Sequence, residues 1–259
     1  MRNNFILYPL HIREAAMSDF KWRHFEGEFI LQCVRWYCKY GISYRDLAEM
    51  MAERGIKVHH STIYRWVQKY APEMEKRMRW YWRQSFDSSW RVDETCIKVK
   101  GQLKYIFRAI DRRGRTVDFY LSHSRNTAMA KKFLCKALNG VNDPPTKINT
   151  DKHKAYGRAI SMMKEAGKCE NELEHSQVKY LNNRLESDHG KLKLLLNPVR
   201  GFKTMKTAFA TLRGFELMRI FKKGQLKSWH TCSCSPGTQA EICLINKQFG
   251  IYTQHIPAF

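Results

Sequence analysis

Residues Ile148 to Asp151 read I-N-T-D, and Asn182 to Lys193 read N-N-R-L-E-S-D-H-G-K-L-K. The first stretch is a short apolar approach ending on a carboxylate; the second is a helix-like run with Glu186 near its start. Thirty-four residues separate Asp151 from Glu186. Upstream, Trp90 to Thr95 reads W-R-V-D-E-T and sets a third carboxylate, Asp93, inside a strand-like run. Mg2+ is a hard cation that takes oxygen ligands in octahedral geometry, usually one or two carboxylates with water and substrate phosphate. Two such ions about 3.5–4 Å apart can activate an attacking oxygen and stabilise a leaving one. Three acids suffice to hold such a pair if the fold brings them together.

The periodicity around these stretches says how that would happen. Trp90 to Val99 alternates, Lys100-Gly101 turns the chain, Leu103 to Ile110 alternates again, and Val117 to Leu121 follows the turn Arg112 to Arg115. Asn126 to Leu138 reads as a helix, Lys147 to Thr150 as a fourth strand, and Lys154 to Ala166 as a helix. Glu174 to Tyr180 is a fifth strand, followed by helices over Asn182–Leu196 and Lys203–Lys222. Three strands, helix, strand, helix, strand, helix is the element order of an RNase H-like domain. In that topology the first and fourth strands are neighbours, so Asp93 and Asp151 meet and Glu186 reaches over the same edge. Strand alternation sends Glu94 to the opposite face. Asp188 lies about 200° around the helix from Glu186 and points away, whereas His189 and Lys193 share its face as candidate contacts to the DNA end. Asn182 and Asn183 shape the helix start. Asp111 reads as solvated or paired, and Asp118 as a surface residue of the third strand.

The N-terminal part has a helical period instead. Phe29, Ile30, Cys33, Val34 and Tyr37 make one apolar stripe, ended by Gly41. Ser43 caps a second helix with Asp46 three residues on. Gly55 stops it, and Ser61 caps a third helix carrying Ile63, Trp66 and Val67 inward. Helix, short turn, helix is the helix-turn-helix arrangement, whose last helix enters the major groove. Its outward residues His60, Thr62, Tyr64, Arg65, Gln68 and Lys69 are the expected DNA contacts. An ordinary three-helix bundle with a polar surface has the same pattern. Pro72 suits the first turn of a further helix, and the polar stretch Gln84 to Ser89 marks a boundary.

Composition separates these readings. Lys and Arg number 46 against 24 Asp and Glu, a net charge of +22, which calls for a polyanionic partner because each phosphate neutralised releases counterions. Residues 1–84 carry 15 basic and 9 acidic side chains, and residues 191–227 carry 10 basic against Glu216 alone, so nucleic-acid contact is expected from both halves. The eight cysteines form no C-x-x-C pair, and His230, Cys232 and Cys234 fit no common zinc spacing. Reduced thiols, no membrane-spanning run and no signal-peptide core predict a cytoplasmic, nucleoid-associated protein without membrane contact.

Several longer runs carry a resemblance. R-W-Y-C-K-Y-G-I-S-Y-R-D-L (Arg35 to Leu47), H-S-T-I-Y-R-W-V-Q-K-Y-A-P-E (His60 to Glu73), W-R-V-D-E-T, R-G-R-T-V-D-F-Y-L-S (Arg113 to Ser122), I-N-T-D-K and D-H-G-K-L-K resemble the short bacterial insertion-sequence transposases of the IS-six family. The likeness covers roughly Phe20 to Gln225. It implies a DDE transposase: an α/β, RNase H-like catalytic domain with a mixed five-stranded sheet, preceded by an all-α helix-turn-helix domain. By position the family's acids fall on Asp93, Asp151 and Glu186, as catalytic residues and metal ligands, and its basic residue on Lys193. It further implies Mg2+ (two ions, with Mn2+ as substitute), a homodimer acting on inverted-repeat ends and target DNA, and transposition through cointegrates. Cys96 stands where an aromatic is commoner in the family.

The domain reading is an extension over 1–19, a DNA-binding domain over 20–84, a catalytic domain over 85–227 and a variable tail over 228–259. The competing reading is a sequence-specific DNA-binding regulator whose nuclease-like domain is inactive, needing no Mg2+. A nuclease or recombinase of the same fold without strand transfer is the other rival.

Overall fold

The computed structural model describes residues 19–20, 24–82, 86–226 and 237–251. The expected extension over 1–19 thus lies almost wholly outside the described residues, as do the His230–Cys234 cluster and residues 84–85 of the boundary stretch. Helices α1 (Gly27–Lys39), α2 (Tyr44–Ala52) and α3 (His60–Trp82) come first. Strands β1 (Ser89–Val99), β2 (Gln102–Asp111) and β3 (Thr116–Ser122) follow, then α4 (Thr127–Asn139), β4 (Lys147–Asn149), α5 (Lys154–Glu165) and β5 (Glu174–Ser176). A 3-10 turn (Lys179–Asn182) leads into α6 (Asn183–Leu196), and α7 (Met205–Lys222) and α8 (Thr238–Gln248) complete the order. No helix among the described residues is long and apolar enough to cross a membrane.

The sheet runs β3-β2-β1-β4-β5, antiparallel from β3 to β1 and parallel from β1 to β5. This is the RNase H-like sheet that the element order predicts. Alternation along β1 feeds two cores. Trp90 and Val92 pack with Phe107, Phe133, Tyr156 and Ile160 beneath α4 and α5. Ile97 and Val99 face the other way, into a larger core shared with α1–α3, α6 and α7. The N-terminal helices therefore do not stand apart from the sheet.

The cap of α2 forms as expected: Ser43 Oγ accepts from the Asp46 N–H, and the Asp46 carboxylate accepts from the Ser43 N–H. Such a cap is worth about 1 kcal/mol. At Pro72 the expectation of a new helix is corrected, because α3 runs straight through it. Proline forfeits one intrahelical donor and strains the preceding turn, but α7 clamps α3 on both sides of that point. Gln68 Nε2 donates to Thr211 Oγ1 at 2.9 Å, and Arg213 Nε to Glu75 Oε2 at 2.6 Å. Gly214 allows the close crossing, since a Cβ there would collide with Cys38 Sγ and approach Ala71 Cβ at 2.9 Å. Within the stretch read as a tail, α8 docks on the N-terminal helices through Glu241, which pairs with Arg35 at 3.0 Å and Lys39 at 2.7 Å.

Candidate active site

β4 is short, and it pairs with β1 only through Ser89–Arg91. Between Arg91 and the bridge to Phe202 at Val99 that edge of β1 has no strand partner, and the chain leaving β4 places Asp151 beside it. Carboxylate oxygens of Asp93, Glu94 and Asp151 all lie within 4.8 Å of one another. Two of the expected acids thus come together, and a third carboxylate joins them that alternation had sent to the other face. Glu94 does start from the Trp90 and Val92 side, where the Tyr156 hydroxyl donates to it. With no neighbouring strand alongside, its side chain reaches round the open edge. Arg125, in the loop after β3, spans the group: it pairs with Glu94 and lies 2.9 Å from Asp151 Oδ2. Asp151 Oδ1 also accepts from the His153 N–H at 3.0 Å.

Burial, reinforced by the neighbouring Glu94 and Asp151 charges, pushes the Asp93 carboxyl up to about 7 against the pull of Arg125. Glu94 is raised as well, mainly by burial, with the Tyr156 hydrogen bond and Arg125 opposing. Three half-buried carboxylates facing a single arginine form an under-compensated set of hard oxygen donors. Their chemistry fits Mg2+.

Glu186 stands exposed in the first turn of α6, outside that group of three. The approach to α6 is tied to the same end of the sheet. Asn149 Nδ2 donates to Asn182 Oδ1 at 2.7 Å and to the Val178 carbonyl at 3.1 Å, and Arg91 Nε donates to the Leu181 carbonyl at 2.6 Å. Asn182 therefore makes no side-chain cap and serves instead as a link to β4. Asn183 is exposed at the first position of the helix.

Lys193 is exposed, as Glu186 is, but His189 corrects its prediction: it is buried beside Arg108. Burial, with the Arg108 charge, lowers it to about 3. Leu185, Asp188, His189 and Leu192 form one buried stripe that takes in the position three beyond Glu186. Asp188 does point away from Glu186, into a buried ionic knot. Arg108 Nη2 lies 2.6 Å from Asp188 Oδ2, and Arg108 Nε 3.0 Å from Glu216 Oε1. Arg219 and Lys223 reach Asp188 Oδ1 at 2.5 and 3.0 Å. Arg108 is the cross-strand partner of Asp93, so the knot joins the strand of one expected ligand to the helix of another. Asp111 is buried and held by Arg115, and Asp118 is half-buried against Lys136.

On α3, Arg65 and Lys69 are exposed, and His60 and Thr62 half-buried. Tyr64 sits edge-on to Tyr44. Gln68 is turned to Thr211 of α7 rather than outward.

The sheet order is that of an RNase H-like domain, and the carboxylates clustered at its β1–β4 edge are suited to hold a divalent metal ion. The DDE-domain family model DDE_Tnp_IS240 matches residues 87–225. The transposase for insertion sequence-like element IS431mec of Staphylococcus aureus strain Mu50 is 34% identical over 88% of this chain and 99% of its own length. The Staphylococcus aureus transposase for IS257 in transposon Tn4003 matches to the same extent. The magnesium-bound catalytic core of HTLV-2 integrase, in its dimeric form, is 19% identical over 43% of this chain and 70% of that chain, with a TM-score of 0.35. The chain belongs to the insertion-sequence DDE transposases of the IS-six family, and is a DNA-processing enzyme.

Proposed function

We infer that the protein binds the inverted-repeat ends of its element, cuts a strand there and joins the freed 3′-OH to target DNA, forming cointegrates as a homodimer. Residues 20–84 serve as the helix-turn-helix domain and 85–227 as the catalytic domain, with the variable tail over 228–259 contributing α8 as a brace. Among the outward residues of α3, His60, Thr62, Tyr64, Arg65 and Lys69 are assigned to DNA, with Gln68 and His189 set aside because both are turned inward. Asp93, Asp151 and Glu186 are assigned as the metal ligands. Two Mg2+ ions, with Mn2+ as substitute, supply activation of the attacking oxygen and stabilisation of the leaving one when bound. Lys193 holds a phosphate beside Glu186, and Arg125 and Tyr156 hold Glu94 as a wall of the site. A nucleoid-associated, cytoplasmic location follows from the substrate.

The convergence of Asp93 and Asp151 at one open strand edge carries this reading. A strand-transfer assay on pre-cut ends, run with Mg2+ and with EDTA, tests it. Asp151→Asn is expected to abolish cleavage and joining while leaving end binding nearly intact. Equal loss of binding and chemistry would overturn the role given to Asp151.

A further inference from the structure

At the far end of β1 from Asp93, two chain segments about a hundred residues apart are fastened into one knob. The β1–β2 hairpin tip and the loop after α6 exchange backbone hydrogen bonds: Lys100 N–H to the Phe202 carbonyl at 2.8 Å, and Phe202 N–H to the Lys98 carbonyl at 2.9 Å. Lys98, Lys100, Arg200, Lys203 and Lys206 are all exposed on it. Residues 95–110 and 189–215 contain no Asp or Glu, so the knob carries no acid of its own.

Two backbone conformations single it out. Lys100 (φ 51°) and Arg200 (φ 54°) are the only non-glycine residues with positive φ among the described residues. Lys100 occupies the first central position of a tight hairpin turn, with Gly101 at φ 76° behind it; glycine, asparagine and aspartate are the usual residues there. Arg200 follows the 3-10 turn Asn197–Val199 in the left-handed position where glycine is usual. At both places a long cation replaces the residue that the backbone favours. Such strain is found where a side chain serves function.

We propose that this knob is a second DNA-binding surface, which grips the phosphate backbone of the duplex engaged at the active site. The proposal rests on the transposase reading above. α6 runs from Glu186 to the knob, with Lys191 and Lys193 exposed between them. The ten residues from Glu186 to Leu196 span about 15 Å, and the turn to Arg200 adds a few more. At about 3.4 Å per base-pair step, the knob meets the duplex roughly five or six base pairs from the scissile phosphate. The contact is with phosphate and carries no sequence preference.

The test is the full-length double variant Lys100→Gly/Arg200→Gly, measured with duplexes of inverted-repeat and scrambled sequence. Glycine suits both backbones, so the melting temperature is expected to stay level or rise. Affinity for both duplexes is expected to fall about tenfold, and the salt-dependence slope to shrink by about 1.8, which is two phosphate contacts at 0.9 each. A hydroxyl-radical footprint is expected to lose protection five or six base pairs from the cut. Lys100→Arg/Arg200→Lys, which keeps both charges, is expected to bind as the unaltered protein does. Unchanged affinity and slope in the glycine variant would overturn the proposal. Binding needs no chemistry, so the knob is decided even if the unaltered protein shows no Mg2+-dependent joining; that separate result would overturn the transposition reading instead.

Discussion

Two carboxylates on one helix have opposite surroundings. Glu186 is exposed at the start of α6, while Asp188, two residues on, is buried between Arg108, Arg219 and Lys223. The regions they border differ in the same sense. At the open strand edge three acids share one arginine, and Asp93 is raised to about 7. In the buried knot two acids face three cations, and the Asp188 carboxyl is driven well below the usual carboxylate range by those charges despite its burial. An under-compensated acidic group attracts a further cation. A buried knot in which each acid faces several cations holds elements in register. On the proposed assignment, catalytic and structural acids differ in the cations that face them, although they alternate along one stretch of sequence.

The sharpest way to break this comparison is to neutralise one acid of each kind near the open edge. Glu186→Gln is expected to reduce strand cleavage by about a thousandfold or more, several kcal/mol of transition-state stabilisation. Glu94→Gln is expected to lose only about tenfold, because Glu94 is already engaged by Tyr156 and Arg125. Single-turnover cleavage of a labelled inverted-repeat duplex reads both. If Glu94→Gln proves the more damaging, Glu94 is the third ligand and Glu186 is not.

In the knot the expected loss is of stability. Arg108→Met leaves Asp188 and Glu216 buried without one of the two arginines they share. Removing one member of a buried ionic set costs about 3–5 kcal/mol, read as a lowered midpoint in urea unfolding. A midpoint within experimental error of the unaltered protein would mean that Arg219 and Lys223 carry the knot alone.

Most of the architecture was legible because each element is consistent within itself. Alternation over Trp90–Val99, the Ser43–Asp46 cap and the Lys100-Gly101 turn each specify their conformation locally. Adjacency of Asp93 and Asp151 followed from element order. What escaped depends on contacts that no local pattern encodes. Alternation gives the side from which Glu94 starts but not where its carboxylate ends, because β4 stops after three residues and leaves room beside Asp151. Arg108 interrupts the apolar run Tyr105–Ile110 and is explained only by acids eighty and more residues away. Arg125 lies in a loop whose sequence carries no signal for where its guanidinium goes. Helical angle alone puts His189 on the face of Glu186, but the buried stripe of α6 is wide enough to include it.

That histidine gives the knot a pH signature. His189 is lowered to about 3, first by burial and then by Arg108, so the folded protein holds it neutral where the unfolded chain would protonate it below about 6.5. Between those values the unfolded state binds one more proton, so stability rises with pH and is lost as pH falls from about 6.5 toward 3. The slope from one proton is about 1.4 kcal/mol per pH unit. His189→Gln is expected to remove that slope from urea-unfolding energies measured between pH 4 and 6.

The smallest expected effect returns to the open edge. Arg125 neutralises part of the acidic group, and its guanidinium lies against Glu94 and Asp151 Oδ2, where an arriving cation would be drawn. Removing its charge leaves the three carboxylates repelling one another more strongly, and a divalent ion relieves more repulsion on binding. Arg125→Gln is therefore expected to bind Mn2+ about threefold to tenfold more tightly by calorimetry, on the order of 1 kcal/mol. The opposite result would have a distinct meaning. Weaker Mn2+ binding would show that Arg125 acts chiefly as a clamp, holding Glu94 and Asp151 close enough to share an ion. The contrast between an open edge short of cations and a knot rich in them would then need revision, because the open edge would also depend on its own arginine for its geometry.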